Sequence, residues 1–234
     1  MLRHLQRAYH RLCPRLEVTK RLHGLRCRIN INDHLMWLVF PEARTIEAPS
    51  HVLMTRRWGK VWDIGCNFGF YSMAAARAGN EVVAFDMSPH VLAMMNRSCT
   101  INGVSVTTVA RAVTPRPRTY DAPQTSACTN QCIAGTGSSQ SLTYLEAEKA
   151  YGTPAFIKMD IEGGERDFLE SEMFQSWLQD NRITMLVEVH HGYLIGPNAF
   201  PRMARLQVDH DHVLLEPRNV AEDESCEHVG RCQA

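Results

Sequence analysis

Several absences narrow the reading of this 234-residue chain. No stretch approaches the roughly 20 consecutive apolar residues that a membrane-spanning helix needs, and the start has no apolar core of the secretory-signal kind. An intracellular, cytoplasmic protein is therefore expected. Net charge is also lacking: 25 Lys plus Arg balance 25 Asp plus Glu. That removes the broad basic field of a protein that grips nucleic acid through its phosphates. The eight cysteines come without a secretory signal, so thiols are expected rather than a disulfide framework. Cys128 and Cys132, and the group Cys226, His228 and Cys232, lack the C-x₂-C spacing of a zinc knuckle, and no metal site is assigned to them. No internal repeat is present. What remains is an ordinary globular composition, long enough for one substantial core and a small appendage.

The zero net charge hides an asymmetry. Arg3, Arg7, Arg11, Arg15, Lys20, Arg21, Arg26 and Arg28 stand against Glu17 alone, and Leu2, Leu5, Tyr9, Leu12 and Leu16 recur among them at helical spacing. A basic helix is expected there. Its plainest role is a solvated face, and weak contact with an anionic membrane surface or RNA is the alternative. Leu25–Ile31 and Leu35–Phe40 read as two short strands of a hairpin turning at Asn32-Asp33, giving a small N-terminal β-hairpin and helix appendage over residues 1–57.

From residue 58 short apolar strands alternate with helical stretches, the pattern of a mostly parallel sheet with helices on both faces. Strands are expected at Val61–Ile64, Glu81–Asp86, Val106–Val113, Ala155–Asp160, Ile183–Val189 and His212–Glu216. Helices are expected over residues 70–78, 89–102 and 165–178, the second started by Ser88-Pro89. The Pro/Thr/Ser/Gly-rich stretch from Thr114 to Ser141 reads as a functional loop beside an acceptor pocket.

The segment from Val61 to Ser72 is a strand, a glycine turn and a helix start, where open α/β sheets bind nucleotides. It offers only Gly65 and Gly69, and it ends the strand with Asp63. A dinucleotide site needs a third glycine and a helix N-terminus left clear for diphosphate. A carboxylate opposes phosphate and suits a cationic adenosine compound carrying a sulfonium and an ammonium; S-adenosylmethionine is that ligand. Asp86, at the next strand end, is placed to accept hydrogen bonds from ribose hydroxyls. Cys66, Asn67, Phe68 and Tyr71 in the turn, Met87 beside Asp86, and Ala112 at the third strand complete the expected cofactor set.

Two further strand ends carry polar groups. Lys158 and Asp160 share one face of an extended strand, as do Glu188 and His190. Asp160 and His190, or its neighbour His191, are the candidate proton acceptors or orienters, supported by Lys158, Glu162 and Glu188. Glu165 reads as a helix-start acid. A divalent cation held by Asp160, Glu188 and His190 is the alternative way of polarising a hydroxyl.

Taken together, Asp63-Ile-Gly-Cys-Asn-Phe-Gly-Phe-Tyr-Ser72, Ala84-Phe-Asp86, Asn102-Gly103, Ile157-Lys-Met-Asp-Ile-Glu-Gly-Gly-Glu165 and Val187-Glu-Val-His190 resemble the FkbM-family methyltransferases over about residues 45–192. The resemblance implies a Rossmann-like class I methyltransferase fold, S-adenosyl-L-methionine as cofactor, and O-methylation of a sugar or polyketide hydroxyl. Asp86 stands where many relatives have Glu, and the Cys-rich C-terminal part does not align. The expected partner is a small-molecule or carbohydrate acceptor. An RNA ribose 2′-O-methyltransferase, and a non-catalytic binding module on the same fold, are the competing readings. The sequence does not assign an oligomeric state.

Overall fold

The computed structural model describes residues 16–31, 34, 53–121, 137–190, 193, 195, 199–208 and 211–218. The expected basic helix, the strand at Leu35–Phe40, His191 and the four cysteines Cys128, Cys132, Cys226 and Cys232 lie outside them.

The core is a seven-stranded sheet. Its strands are β3 (Lys60–Ile64), β4 (Glu81–Phe85), β5 (Thr107–Val109), β10 (Phe156–Met159), β11 (Thr184–Glu188), β12 (Met203–Gln207) and β13 (His212–Pro217), in the order β12-β13-β11-β10-β3-β4-β5. The ladders joining β11, β10, β3, β4 and β5 are all parallel, while β13 runs against both β11 and β12. The chain builds outward from β3 through β4 to β5, then returns to lay β10 on the other side of β3. That reversal is a topological switch point at the carboxyl ends of β3 and β10, where open α/β sheets take their ligands. The α/β class expected from the sequence is the class observed.

Parallel strands covered on both faces must be apolar on both. In β3, Trp62 and Ile64 bury toward α3 (Tyr144–Tyr151), α4 (Glu165–Leu169) and α5 (Glu172–Asp180), among Phe168, Phe174 and Trp177. Val61 faces the other way, with Ala75 of α1 (Phe70–Arg77) and Phe156 of β10. Each fully buried aromatic of this kind contributes roughly 1.5–3 kcal/mol. A hairpin of β1 (Glu17–Leu22) and β2 (Leu25–Asn30) adds Leu25, Cys27 and Ile29 to a third cluster with Met95 and Cys99 of α2 (Pro89–Asn102). Ser88 caps α2 as expected, accepting from the Val91 N–H, with Pro89 in the first turn.

Several expectations change. Leu25–Asn30 pairs with Glu17–Leu22 through His23-Gly24, a hairpin on the other side of this strand from the one expected around Asn32-Asp33. The long third strand is cut to Thr107–Val109, and β6 (Val113–Thr114) instead pairs with β9 (Leu142–Thr143). The helix expected over 165–178 breaks in two, because the Ser171 hydroxyl accepts from the Phe174 N–H and starts α5 afresh. Helix α3 was not foreseen, although Thr143-x-x-Glu146 forms a complete capping box. Within the expected loop, Thr119–Tyr120 (β7) pairs with Ser139–Gln140 (β8).

Candidate active site at the carboxyl edge of the sheet

The parallel register decides which polar groups meet. Asp63 pairs with Lys158 across β3 and β10, and the backbone N–H of Asp160 donates to the Ile64 carbonyl just beyond the ladder at 3.0 Å. Gly65 follows at once with a φ of 81°, and a Cβ there would sit 1.9 Å from the Asp160 carbonyl oxygen. Only glycine lets the turn cross the end of β10 this closely.

Asp63 is fully buried. The Ser72 hydroxyl donates to its Oδ2, while Oδ1 is buried with no hydrogen-bond partner among the described residues. Burial raises its pKa, against the pull of Lys158 and the Ser72 hydrogen bond. An unmet buried carboxylate oxygen costs about 1–3 kcal/mol, so it marks a place where a donor or cation is wanted. Asp86 is better supplied: the Asn67 N–H donates to Oδ2 at 3.1 Å and the Ser88 N–H to Oδ1 at 2.8 Å. Burial lifts its pKa to about 6. Each of its oxygens keeps a second lone pair for another donor.

The expected cofactor set divides. Asp63, Gly65, Asn67, Gly69 and Asp86 come together around the turn, with Tyr71 and Met87 partly exposed beside them. Lys158 Nζ lies 5.0 Å from the centre of the Tyr71 ring. Cys66 and Phe68 instead point into the core. The Cys66 thiol packs 3.8 Å from Met95 Sδ, and burial pushes its pKa well up; Phe68 is 2% exposed. Both side chains join the buried cluster of Met95 and Cys99 of α2. At Ala112 the backbone is occupied, its N–H donating to Tyr120 Oη and its carbonyl accepting from the Leu142 N–H.

The second group is densely connected. Lys158, 3% exposed, holds Asp160 Oδ2 at 3.2 Å. Burial works to lower the Lys158 pKa, yet Asp160 and Asp63 outweigh it and hold the ammonium above the ordinary lysine value. For Asp160 burial works upward, and Lys158 and then His190 overcome it, keeping the carboxyl below its usual range. His190 Nε2 lies 3.2 Å from Glu188 Oε1, 3.8 Å from Glu162 Oε2 and 3.9 Å from Asp160 Oδ1. On its other side, Glu165 Oε1 accepts from the His190 backbone N–H at 2.8 Å and meets Nδ1 at 2.9 Å. Burial works to lower the His190 pKa, but Glu165, Glu188 and Asp160 together raise it. Burial, followed by Asp160, raises the Glu162 carboxyl. Asp160, Glu162 and His190 each offer an atom within 4.8 Å of the others, a set that could ligate a cation.

Two participants were not read from the sequence as they stand. Glu165 does begin a helix, but its 1%-exposed carboxylate also clamps His190. Buried His212 meets the opposite oxygen of Glu188 at 3.4 Å, brought there by the β11–β13 register. An acid after Gly163-Gly164 was visible; its long-range partner was not.

Comparison with known proteins bears on this same edge. Residues 136–216 match the methyltransferase FkbM domain. That stretch is similar to the FkbM methyltransferase domain. The match covers Lys158, Asp160, Glu162, Glu165, Glu188 and His190 and bears out the family resemblance, over a stretch shifted toward the C-terminus relative to the one expected. No curated protein matches the chain. Similar solved structures include a Pyrococcus abyssi tRNA (uracil-54, C5)-methyltransferase in complex with S-adenosyl-L-homocysteine, at 12% identity and a TM-score of 0.47, covering 87% of this chain and 45% of that one. A Streptococcus thermophilus rRNA methylase is 14% identical with a TM-score of 0.45, covering 75% of this chain and 99% of that one. An S-adenosylmethionine-dependent methyltransferase from Agrobacterium tumefaciens is 13% identical with a TM-score of 0.42, covering 76% and 54%. This chain thus spans less than half of the first of these. Among the described residues, no helix is long and apolar enough to cross a membrane.

Proposed function

We propose that this FkbM-domain protein is an S-adenosyl-L-methionine-dependent O-methyltransferase acting on a hydroxyl of a small molecule or carbohydrate. The observation that carries the reading is the division of the carboxyl edge into two neighbouring sets. One set has acids with unused acceptor capacity; the other pairs a buried lysine with a carboxylate and an imidazole.

The residues present fit the cofactor. Asp63 has a buried oxygen in want of a partner, and Asp86 retains lone pairs suited to ribose hydroxyls. Neither belongs beside a diphosphate. When bound, S-adenosylmethionine supplies an electrophilic methyl group for in-line displacement. The chain's part is to orient the acceptor oxygen and receive its proton. Asp160, held ionised by Lys158, is placed to accept a hydrogen bond from the acceptor hydroxyl and take the proton as the new bond forms. His190, pushed toward its cationic form between Glu165 and Glu188, orients and balances the surrounding negative charge rather than serving as the base. Holding the reactants aligned within near-attack distance supplies much of the remaining acceleration.

Incubating the full chain with methyl-labelled S-adenosylmethionine and fractionated cell extract, then identifying the labelled product, tests the proposal. A small molecule or sugar carrying a new methyl ether is expected. Label found in RNA would replace the acceptor class, and no transfer to any fraction would leave the binding-module reading standing.

A further inference from the structure

The N-terminal hairpin is stitched to α2 by the Arg97–Glu17 ion pair and by backbone hydrogen bonds. The Arg28 N–H donates to Ser98 Oγ at 2.8 Å, while Asn102 accepts from the Arg26 N–H and donates back to the Arg26 carbonyl, both at 2.8 Å. Just past the hairpin, the His34 N–H donates to the Asn30 carbonyl at 2.9 Å, and the imidazole is buried, 1% exposed. Its ring stands edge-on to Phe68, with centroids 5.1 Å apart. Nδ1 lies 3.2 Å from the Asn30 N–H, and Nε2 lies 2.7 Å from Asn67 Oδ1. Nδ1 lies equally close, 3.2 Å, to the Asn30 carbonyl oxygen, but an amide oxygen only accepts, so with Asn67 Oδ1 facing it Nε2 carries a proton and donates to Asn67.

Asn67 is where this contact gains consequence. It sits in the glycine turn with a φ of 51°, a conformation that asparagine tolerates only at some cost. Its own N–H donates to Asp86 Oδ2. A buried imidazole, the side chain of a strained turn residue, that residue's backbone N–H and the Asp86 carboxylate therefore form one connected chain.

We propose that His34 is a positioning residue for the cofactor turn: its hydrogen bond to Asn67 holds the turn in the conformation that presents Asp86 to an adenosine ligand. This rests on the cofactor reading above and extends it, since it makes a residue outside the α/β core part of the affinity for the nucleoside. His34 touches neither ligand nor acceptor; it acts through Asn67 and Asp86.

The test is calorimetric titration of the full chain with S-adenosylhomocysteine, the stable product of the cofactor. H34F keeps the aromatic contact with Phe68 but cannot donate to Asn67, and H34Q can place an amide N–H near the former Nε2. H34F should weaken binding about tenfold, the loss of one buried hydrogen bond to a turn that must hold its shape, with the melting temperature close to wild type. H34Q should recover most of the affinity. An H34F/N67A double variant should bind no worse than the weaker single variant, as coupled residues do. Once an acceptor is in hand, KM for the cofactor should rise with kcat unchanged. Wild-type protein that takes up no S-adenosylhomocysteine overturns the cofactor reading and this assignment together. Wild-type uptake with H34F within twofold of it, or with additive losses in the double variant, overturns the assignment alone.

Discussion

The two halves of the carboxyl edge are built differently, although both end parallel strands and both are acidic. Around Asp63 and Asp86 the carboxylates meet a hydroxyl and backbone N–H groups and retain unused acceptor capacity. Around Asp160 and His190, carboxylates, an ammonium and an imidazole meet one another, so their charged partners come from within the set. The contrast teaches that acidity by itself says little about role. A carboxylate with spare lone pairs waits for a donor from outside, whereas one locked to a buried lysine keeps a fixed ionisation state and a fixed direction. The first suits recognition and the second suits the handling of a proton.

The contrast can be broken by exchanging what each half loses. The largest effect is expected from Asp160→Asn, which keeps the shape but removes the charge: methyl transfer to the identified acceptor should fall about 10²–10⁴-fold, the range for loss of a proton acceptor, with S-adenosylhomocysteine affinity within about threefold. Equal losses in both would merge the two halves into one. Asp86→Asn should do the reverse, weakening S-adenosylhomocysteine binding by about 10–100-fold through lost charge-assisted hydrogen bonds. Because the Asp86 pKa is raised to about 6 in the unliganded protein, wild-type affinity should also decline below pH 6, by at most about tenfold per pH unit. The Asn variant should lack that decline. Calorimetry across pH 5 to 8 measures both.

The smallest effect sharpens the picture of the second half. The His190 pKa is raised above its unfolded value of 6.5, so the stability it contributes is fully present below pH 6.5 and is lost as pH rises through its folded pKa. Glu165→Gln removes a main cause of that elevation. The melting temperature of the wild type should therefore drop further than that of the variant between pH 6 and 9. Parallel melting curves for the two proteins would remove Glu165 from the control of His190.

How far the sequence carried this account depended on whether a feature obeys a local period. The alternation along parallel strands placed Lys158 with Asp160, and Glu188 with His190, and the structure brings these pairs together at 3.2 Å. The Asp63, Gly65 and Asp86 arrangement followed from a strand, a turn and a strand in order. The burial of Cys66 and Phe68 was not legible, because a turn has two flanks and only packing against Met95 and His34 shows which flank is buried. The break before Ser171 was a matter of capping overriding helical periodicity. Glu165 on His190 and His34 on Asn67 span 25 and 33 residues, and no local pattern announces such contacts. Antiparallel β12 and β13 close the sheet through pairing that a weak apolar pattern barely signals.

The central claim is that the acids ending β3 and following β4 receive a phosphate-free, cationic adenosine compound. Titrating the wild-type chain side by side with S-adenosylmethionine and with NAD tests it most directly. Saturable one-to-one uptake of the sulfonium compound, lost in Asp86→Asn, with no heat from the dinucleotide, is the result the account predicts. Tight uptake of NAD with no response to S-adenosylmethionine would contradict it.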